Sequence, residues 1–279
     1  MSGTLCIDGI AVPFSDGQTI IEAARTAGVY IPYLCHRPGY APYGSCKLCT
    51  VKVNGRTNTA CTLPAADGQT VISNSPDLQH DRQRITQMLF VEGNHFCPSC
   101  EKSGNCQLQA VAYHQNMLDN HYPHFYAQRE LDASHPDILI DHDRCIFCNL
   151  CVRASKEKDG KEVFGIAGRG IHKRLIVNSP SGKLKDSDIS INDEAAHVCP
   201  TGAILVKRSA YLAPIGERIY DHHPISEVAC EKAVHKTGAA AGYASCDQSK
   251  LPGPAQQDGG TASHYAATMP PAPDIKHGR

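Results

Sequence analysis

The stretch CKLCTVKVNGRTNTAC, residues 46–61, decides how the front of the chain folds. Asn54-Gly55 is the pair preferred in a two-residue hairpin turn, so residues 48–53 are expected to run back against residues 56–61. Counting from the turn pairs Val53 with Arg56 and Cys49 with Ala60, which brings Cys61 within one residue of Cys49 across the ladder. Strict alternation puts those two side chains on opposite faces, so a bulge or the end of the ladder is needed there. With Cys35 upstream the spacing is C-x10-C-x2-C-x11-C over Cys35, Cys46, Cys49 and Cys61. Four thiolates are what a 2Fe-2S cluster requires, and Gly39 and Gly44 in the first loop let backbone N–H groups approach the sulfurs. A four-cysteine zinc site is the competing reading; it usually draws on two close cysteine pairs, and only Cys46 and Cys49 form one here.

Upstream, Leu5 and Ile7 alternate with polar neighbours, Asp8-Gly9 supplies a turn, and Ile10 to Phe14 resumes a strand pattern. Thr19 and Glu22 form a capping box that opens a short helix through Ile20, Ile21, Ala24 and Ala27, closed by Gly28. In its order of hairpin, helix and hairpin, residues 1–76 resemble the β-grasp 2Fe-2S ferredoxin domain at the start of the large iron-sulfur subunit of respiratory NADH dehydrogenase.

From Ser75, with Pro76 at the first helical position, Leu78, Ile85, Met88 and Leu89 have helical spacing and lead to a second cysteine group. Cys97, Cys100 and Cys106 give C-x2-C-x5-C, preceded by His95, and a further helical stretch including Leu108 and Val111 leads out. Three thiolates leave a fourth position that a neutral imidazole can fill, so residues 77–136 read as a small unit holding a 4Fe-4S cluster through His95 and the three cysteines. A zinc site with the same ligands is the alternative. In the respiratory subunit and many iron-only hydrogenases the histidine stands four residues before the first cysteine; here it stands two before, and His114 is the reserve candidate.

The third group follows a strand expected at Ile138-Leu139-Ile140 and occupies residues 137–212. Cys145, Cys148 and Cys151 give C-x2-C-x2-C, and Cys199 is followed by Pro200. A two-cluster bacterial ferredoxin carries two C-x2-C-x2-C-x3-C-P runs, the last cysteine of each serving the other's cluster. Laid on this chain, the first run has Ser155 where its last cysteine should be, and the second offers Ile189, Asn192 and Ala195 before Cys199. One complete ligand set is lost and the other kept whole, so a single 4Fe-4S cluster is expected on Cys145, Cys148, Cys151 and Cys199.

Composition bounds the remaining readings. The 279 residues carry 27 basic and 28 acidic side chains and no long basic run, which sets nucleic acid aside. No window approaches the ~18 apolar residues of a membrane helix, and no export signal opens the chain. Fourteen cysteines in that setting point to metal or redox chemistry in a reducing cytoplasm rather than to disulfides. Cys6, Cys230 and Cys246 fit no site and read as buried or tail thiols. Beyond Leu212 the composition turns to Ala, Gly, Pro, Ser and Gln, so residues 213–279 read as a segment that docks on a partner near 213–225, then a tail disordered after about Gly238.

Three one-electron centres in one α+β chain make an electron relay with no catalytic residue of its own. Gly165, Gly168 and Gly170 give G-x-x-G-x-G rather than the dinucleotide fingerprint, so the electron source and sink belong to other chains. From about Thr4 to Tyr211, including Phe90 to His95 and Arg144-Cys145-Ile146, the chain resembles the diaphorase small subunit of the cytoplasmic NAD-reducing bidirectional nickel-iron hydrogenases. The resemblance implies a hetero-oligomer: a partner subunit with FMN exchanges hydride with NAD, this chain passes electrons, and small and large nickel-iron hydrogenase subunits handle hydrogen. Related chains of the respiratory, formate dehydrogenase and iron-only hydrogenase types continue into a large domain, which favours the hydrogenase relay. A relay for formate dehydrogenase or an NADH:quinone enzyme is the alternative, and a zinc-stabilised scaffold a more distant one.

Overall fold

Strands at the N-terminus put Leu5, Ile7, Val12 and Phe14 on one face, and in the computed structural model all four are buried. The structure describes residues 2–118, 122–124, 128–209, 211–230 and 246. β1 (Gly3–Ile7) and β2 (Ile10–Phe14) form the Asp8-Gly9 hairpin, and α1 (Ile20–Thr26) follows with both halves of the Thr19/Glu22 capping box made. β3 (Thr50–Val53) and β4 (Arg56–Thr59) pair in the register read from Asn54-Gly55, and β5 (Thr70–Ile72) enters between the hairpins. The sheet runs β2-β1-β5-β3-β4, with β1 and β5 parallel. Ile20, Ile21, Ala23 and Ala24 of α1 close its core against Leu5, Ile7, Val51 and Val71.

α2 (Pro76–Glu92) starts at Ser75 with Pro76 in its first turn, and α3 (Gln107–His114) follows the second cysteine group. Leu78 is buried as its spacing requires, whereas Met88 is 53% exposed. Leu34 and Leu48 of the first unit share a core with Phe90, Leu108 and Val111 of these helices. β6 (Leu131–Asp132), β7 (Ile138–Asp141) and β10 (Ile204–Val206) make a three-stranded sheet in the order β10-β7-β6. Between β7 and β10 the chain forms α4 (Leu150–Glu157), the hairpin β8 (Phe164–Ala167) with β9 (Arg174–Val177), and α5 (Glu194–His197). Gly168 and Gly170 lie in the connection of that hairpin, at φ +77° and +52°. At Gly168 a Cβ would stand 2.1 Å from the His172 carbonyl oxygen, so this glycine pattern serves a turn between strands.

One expectation changes. Cys6 and Cys246 are joined by a disulfide rather than left as thiols. Alternation in β1 buries Leu5 and Ile7 and turns Cys6 away from the core, where Cys246 is held by its N–H donating to the Gly9 carbonyl (3.0 Å). Cys230 is a free, buried thiol. Residues 213–230 dock on their own chain: Tyr220 N–H donates to Gly104 O (3.0 Å), Arg218 reaches Ser103 O (3.2 Å), and Ile225 is buried beside α3, while Leu212 and Ile215 face outward. The tail expected to be disordered after Gly238 lies, apart from Cys246, outside the described residues.

Ile7 is fully buried, so Ile7→Ala is expected to cost about 2–5 kcal/mol of unfolding free energy, against less than about 0.5 kcal/mol for Met88→Ala, by chemical denaturation. Asp132 on β6 accepts backbone N–H bonds from Leu184 (2.8 Å) and Ser134 (3.0 Å). Burial alone would raise its pKa, but the Ser134 side chain, these backbone bonds and the Lys183 charge win and hold it below the ordinary carboxylate value. Its contribution to stability is therefore complete above the unfolded value of about 4 and is lost as pH falls through the lower folded value. Asp132→Asn should flatten the loss of stability below about pH 4, measured by denaturation across acid pH.

Candidate functional site

The first cysteine group closes at the end of the β3–β4 ladder. β4 stops at Thr59, Ala60 N–H donates to Cys49 O (2.9 Å), and the chain turns so that Thr62 and Leu63 N–H both donate to Thr59 O. That turn resolves the alternation conflict, because Cys61 lies beyond the ladder and its N–H is directed at the Cys49 sulfur. Gly44, at φ +68°, leads into Ser45 and Cys46, whose N–H groups point at the Cys35 sulfur; the Cys46 N–H is 3.4 Å from it. The four thiols form a chain of hydrogen bonds, Cys46 to Cys35 to Cys61 to Cys49. Hydrogen bonds from Cys46 and Cys61 hold Cys35 down to about 2, and one from Cys61 lowers Cys49, while Cys46 and Cys61 are correspondingly raised.

The third group is gathered by α4 and the segment before β10. Cys145, Cys148, Cys151 and Cys199 line one small apolar cavity, closed by Ile166 and Leu175. Phe147 and Asn149, at φ 53° and 66°, turn the backbone inside the C-x2-C-x2-C run, and the N–H groups of Phe147 and Leu150 point at the sulfurs of Cys145 and Cys148. Burial pushes Cys145 up to about 12 and raises Cys148 and Cys151 well above the usual thiol value, neighbouring thiols adding to the rise. Thiols buried in this way ionise only with a positive centre among them, and a coordinating metal supplies one. At the position where a two-cluster ferredoxin has another cysteine, Ser155 is buried and accepts the Val163 N–H (2.7 Å). Ile189 and Ala195 are packed into the hydrocarbon core, and Asn192 is exposed.

Around the second group, His95 packs on Phe90 with ring centroids 5.5 Å apart, and its backbone carbonyl accepts the Cys97 N–H (3.0 Å). The His95 Nε2 atom is buried and has no hydrogen-bond partner. Burial, with the Arg144 charge adding to it, lowers this histidine to about 4, so its imidazole is neutral at ordinary pH. A neutral ring with an orphaned nitrogen beside Cys97 fits a metal ligand. His114 instead packs edge-on against Tyr30 and lines another cavity with Arg82 and Ser73. Burial pushes Cys106 up to about 12. Among the described residues no three His, Cys, Asp or Glu side chains converge as ligands of a single metal ion do. A polynuclear cluster would not need that convergence, since no one of its irons would take more than two of the protein's ligands.

The groups are joined through short stretches of backbone. Pro200 O, next to Cys199, accepts the Gln107 N–H (2.9 Å), and the Cys106 thiol faces it at 3.8 Å. A Cβ on Gly202 would stand 3.4 Å from the Cys100 sulfur. Arg153 on α4 donates to Cys35 O (2.6 Å), Ser45 Oγ to Phe147 O (3.4 Å), and the Cys35 and Cys148 thiols bear on one another. Arg82, Arg153 and Gly202 carry no motif. The one available signal was Arg82 itself, a charge four residues after Leu78 on the apolar stripe of α2.

Residues 3–76 match the 2Fe-2S iron-sulfur cluster binding domain, residues 82–121 the NADH-ubiquinone oxidoreductase-G iron-sulfur binding region, and residues 138–206 the 4Fe-4S single cluster domain. Mixed sheets and helices carrying these three regions define an iron-sulfur electron-transfer protein. The chain is 39% identical to the NAD-reducing hydrogenase HoxS subunit gamma of Cupriavidus necator over 83% of its own length and 98% of the relative's. It superposes with a TM-score of 0.80 and 48% identity on a chain of the NAD+-reducing [NiFe]-hydrogenase crystal structure in the H2-reduced state, covering 84% of this chain and 99% of that one. It is 32% identical to the NADPH-Fe(3+) oxidoreductase subunit alpha of Geobacter sulfurreducens over 73% of its length, but spans only 24% of that longer protein. The chain belongs to the family of the NAD-reducing hydrogenase gamma subunit. No described helix is long and apolar enough to cross a membrane.

Gly93 is the residue that gives His95 room: a Cβ there would meet His95 Nε2 at 2.5 Å and Asp143 O at 2.7 Å. Gly93→Ala is expected to destabilise the fold by about 1–3 kcal/mol and to perturb the protein's iron-sulfur signals. Denaturation and low-temperature paramagnetic resonance of the same preparation check both.

Proposed function

We propose that the chain holds three iron-sulfur clusters and relays electrons between a flavin- and NAD-binding diaphorase subunit and the small and large subunits of a nickel-iron hydrogenase, in a cytoplasmic hetero-oligomer. Cys35, Cys46, Cys49 and Cys61 would hold a 2Fe-2S cluster; His95, Cys97, Cys100 and Cys106 one 4Fe-4S cluster; and Cys145, Cys148, Cys151 and Cys199 another. The corresponding units are residues 1–76, 77–136 and 137–212, with 213–279 following. An iron-sulfur cluster, when bound, accepts and returns one electron at a time and tunes its potential through the hydrogen bonds and charges around it. The chain's own residues orient the sulfurs, supply N–H donors to them and keep water from the third group with Ile166 and Leu175.

The observation that carries this reading is the convergence of Cys145, Cys148, Cys151 and Cys199 on one apolar cavity, linked on one side to Cys35 and on the other, through Pro200, to Cys106. The third group thus abuts both of the others. Likeness to a relative named as an NADPH-Fe(3+) oxidoreductase subunit supports a second reading, a relay for another nicotinamide-linked enzyme.

Anaerobic purification should yield a brown protein with iron and acid-labile sulfide in the proportion of one 2Fe-2S and two 4Fe-4S clusters. Zinc with no visible absorption would overturn the reading. Cys199→Ser should remove one 4Fe-4S signal and leave the 2Fe-2S signal. Co-purification with nickel-iron hydrogenase subunits separates the first reading from the second.

A further inference from the structure

Two guanidiniums are buried among the described residues, Arg82 at 4% and Arg153 at 8% exposure, and both lie against the first cysteine group. Arg82, on α2, donates from Nε to Leu48 O (2.9 Å) and from Nη2 to Thr50 O (2.8 Å), the carbonyls on either side of Cys49, and from Nη1 to Ser73 O (2.8 Å). Arg153, on α4, donates from Nη2 to Cys35 O (2.6 Å), from Nη1 to Ala41 O and from Nε to Asn149 O (3.4 Å), with Tyr40 and Tyr43 stacked on it at 5.8 and 5.7 Å. Every hydrogen bond that either guanidinium makes among the described residues goes to a backbone carbonyl. Asp8, the carboxylate that bears on Arg82, is itself engaged by the Ser73 and Asn74 N–H groups (2.8 and 3.3 Å).

A buried cation with no carboxylate hydrogen-bonded to it is costly unless further negative charge stands near it. Four thiolates around two irons and two sulfides supply that charge, since such a cluster is net negative in both oxidation states. We propose that Arg82 and Arg153 are positioning residues that raise the reduction potential of the cluster held by Cys35, Cys46, Cys49 and Cys61, each placing a buried positive charge beside its ligand backbone from a neighbouring unit. The proposal rests on the reading of those four cysteines as cluster ligands. The step involved is the uptake of one electron from the nicotinamide-linked partner, with no bond made or broken and no proton moved. One negative charge is added, and a nearby fixed cation favours that state. Arg153 lies two residues after Cys151 and should act on the third group as well; Arg82 should act on the first alone.

Redox titration of the full complex, followed by the paramagnetic signal of the reduced 2Fe-2S cluster, tests this. In Arg82→Gln and Arg153→Gln the reduced-to-oxidised ratio at fixed potential should fall on the order of tenfold, a shift of about 59 mV for one electron. Arg153→Gln should also lower a 4Fe-4S potential, which Arg82→Gln should not. Arg82→Lys and Arg153→Lys, which keep the charge and spare the fold should the glutamine variants not assemble, should retain most of the parent potential. Unmoved potentials in both glutamine variants, or lysine variants as far displaced as the glutamine ones, would overturn the proposal. If the glutamine variants do not assemble, lysine variants shifted tenfold or more overturn it and lysine variants near the parent support it. A parent complex lacking the 2Fe-2S signal overturns instead the functional reading beneath it.

Discussion

A thiolate taken out of water must be met by positive charge or by hydrogen-bond donors, and the architecture around the three cysteine groups follows from that requirement. Left-handed residues at Phe147 and Asn149 and the glycine before Ser45 turn amide N–H groups toward sulfur. These are irregular stretches, because a helix or a ladder already commits its amides to its own carbonyls. The regular elements hold the irregular ones still: β3 and β4 present the first group at their end, and α4 carries Cys151.

The units are not beads on a string. Leu34 and Leu48 share a core with α2 and α3, Arg153 of α4 grips the backbone of Cys35, and the Pro200 carbonyl caps the start of α3. Each of these contacts spans cysteine groups rather than lying within one, so the spacing between groups is fixed by packing and hydrogen bonds rather than by linker length. An electron relay requires such fixed spacing.

Much of this was legible where the chemistry is local. Asn54-Gly55 sets a register because a two-residue turn allows few, and the Thr19/Glu22 box marks a helix start because its partners are three residues apart. The cysteine spacings announced three groups, and the structure links the first in a chain of hydrogen-bonded thiols and gathers the third around one cavity. What could not be read depends on distant parts of the chain. Arg82 stands on the apolar stripe of α2, but that Ser73, Leu48 and Thr50 turn three carbonyls toward it follows from no local pattern, and Met88 fits the apolar spacing yet is half exposed. The Cys6–Cys246 bond crosses 240 residues, and the return of residues 213–230 onto α3 follows from no local pattern.

Order of synthesis gives the scattered third group a further meaning. All four cysteines of the first group have left the ribosome once residue 61 has, whereas the cavity of Cys145, Cys148 and Cys151 lacks a wall until Cys199 emerges, and α3 meets its Pro200 partner only then. A nascent chain halted before that point would present its middle sulfurs to oxidants and to stray metals. The third group is thus the last of the three to be completed, once the ribosome has worked from Cys151 to Cys199.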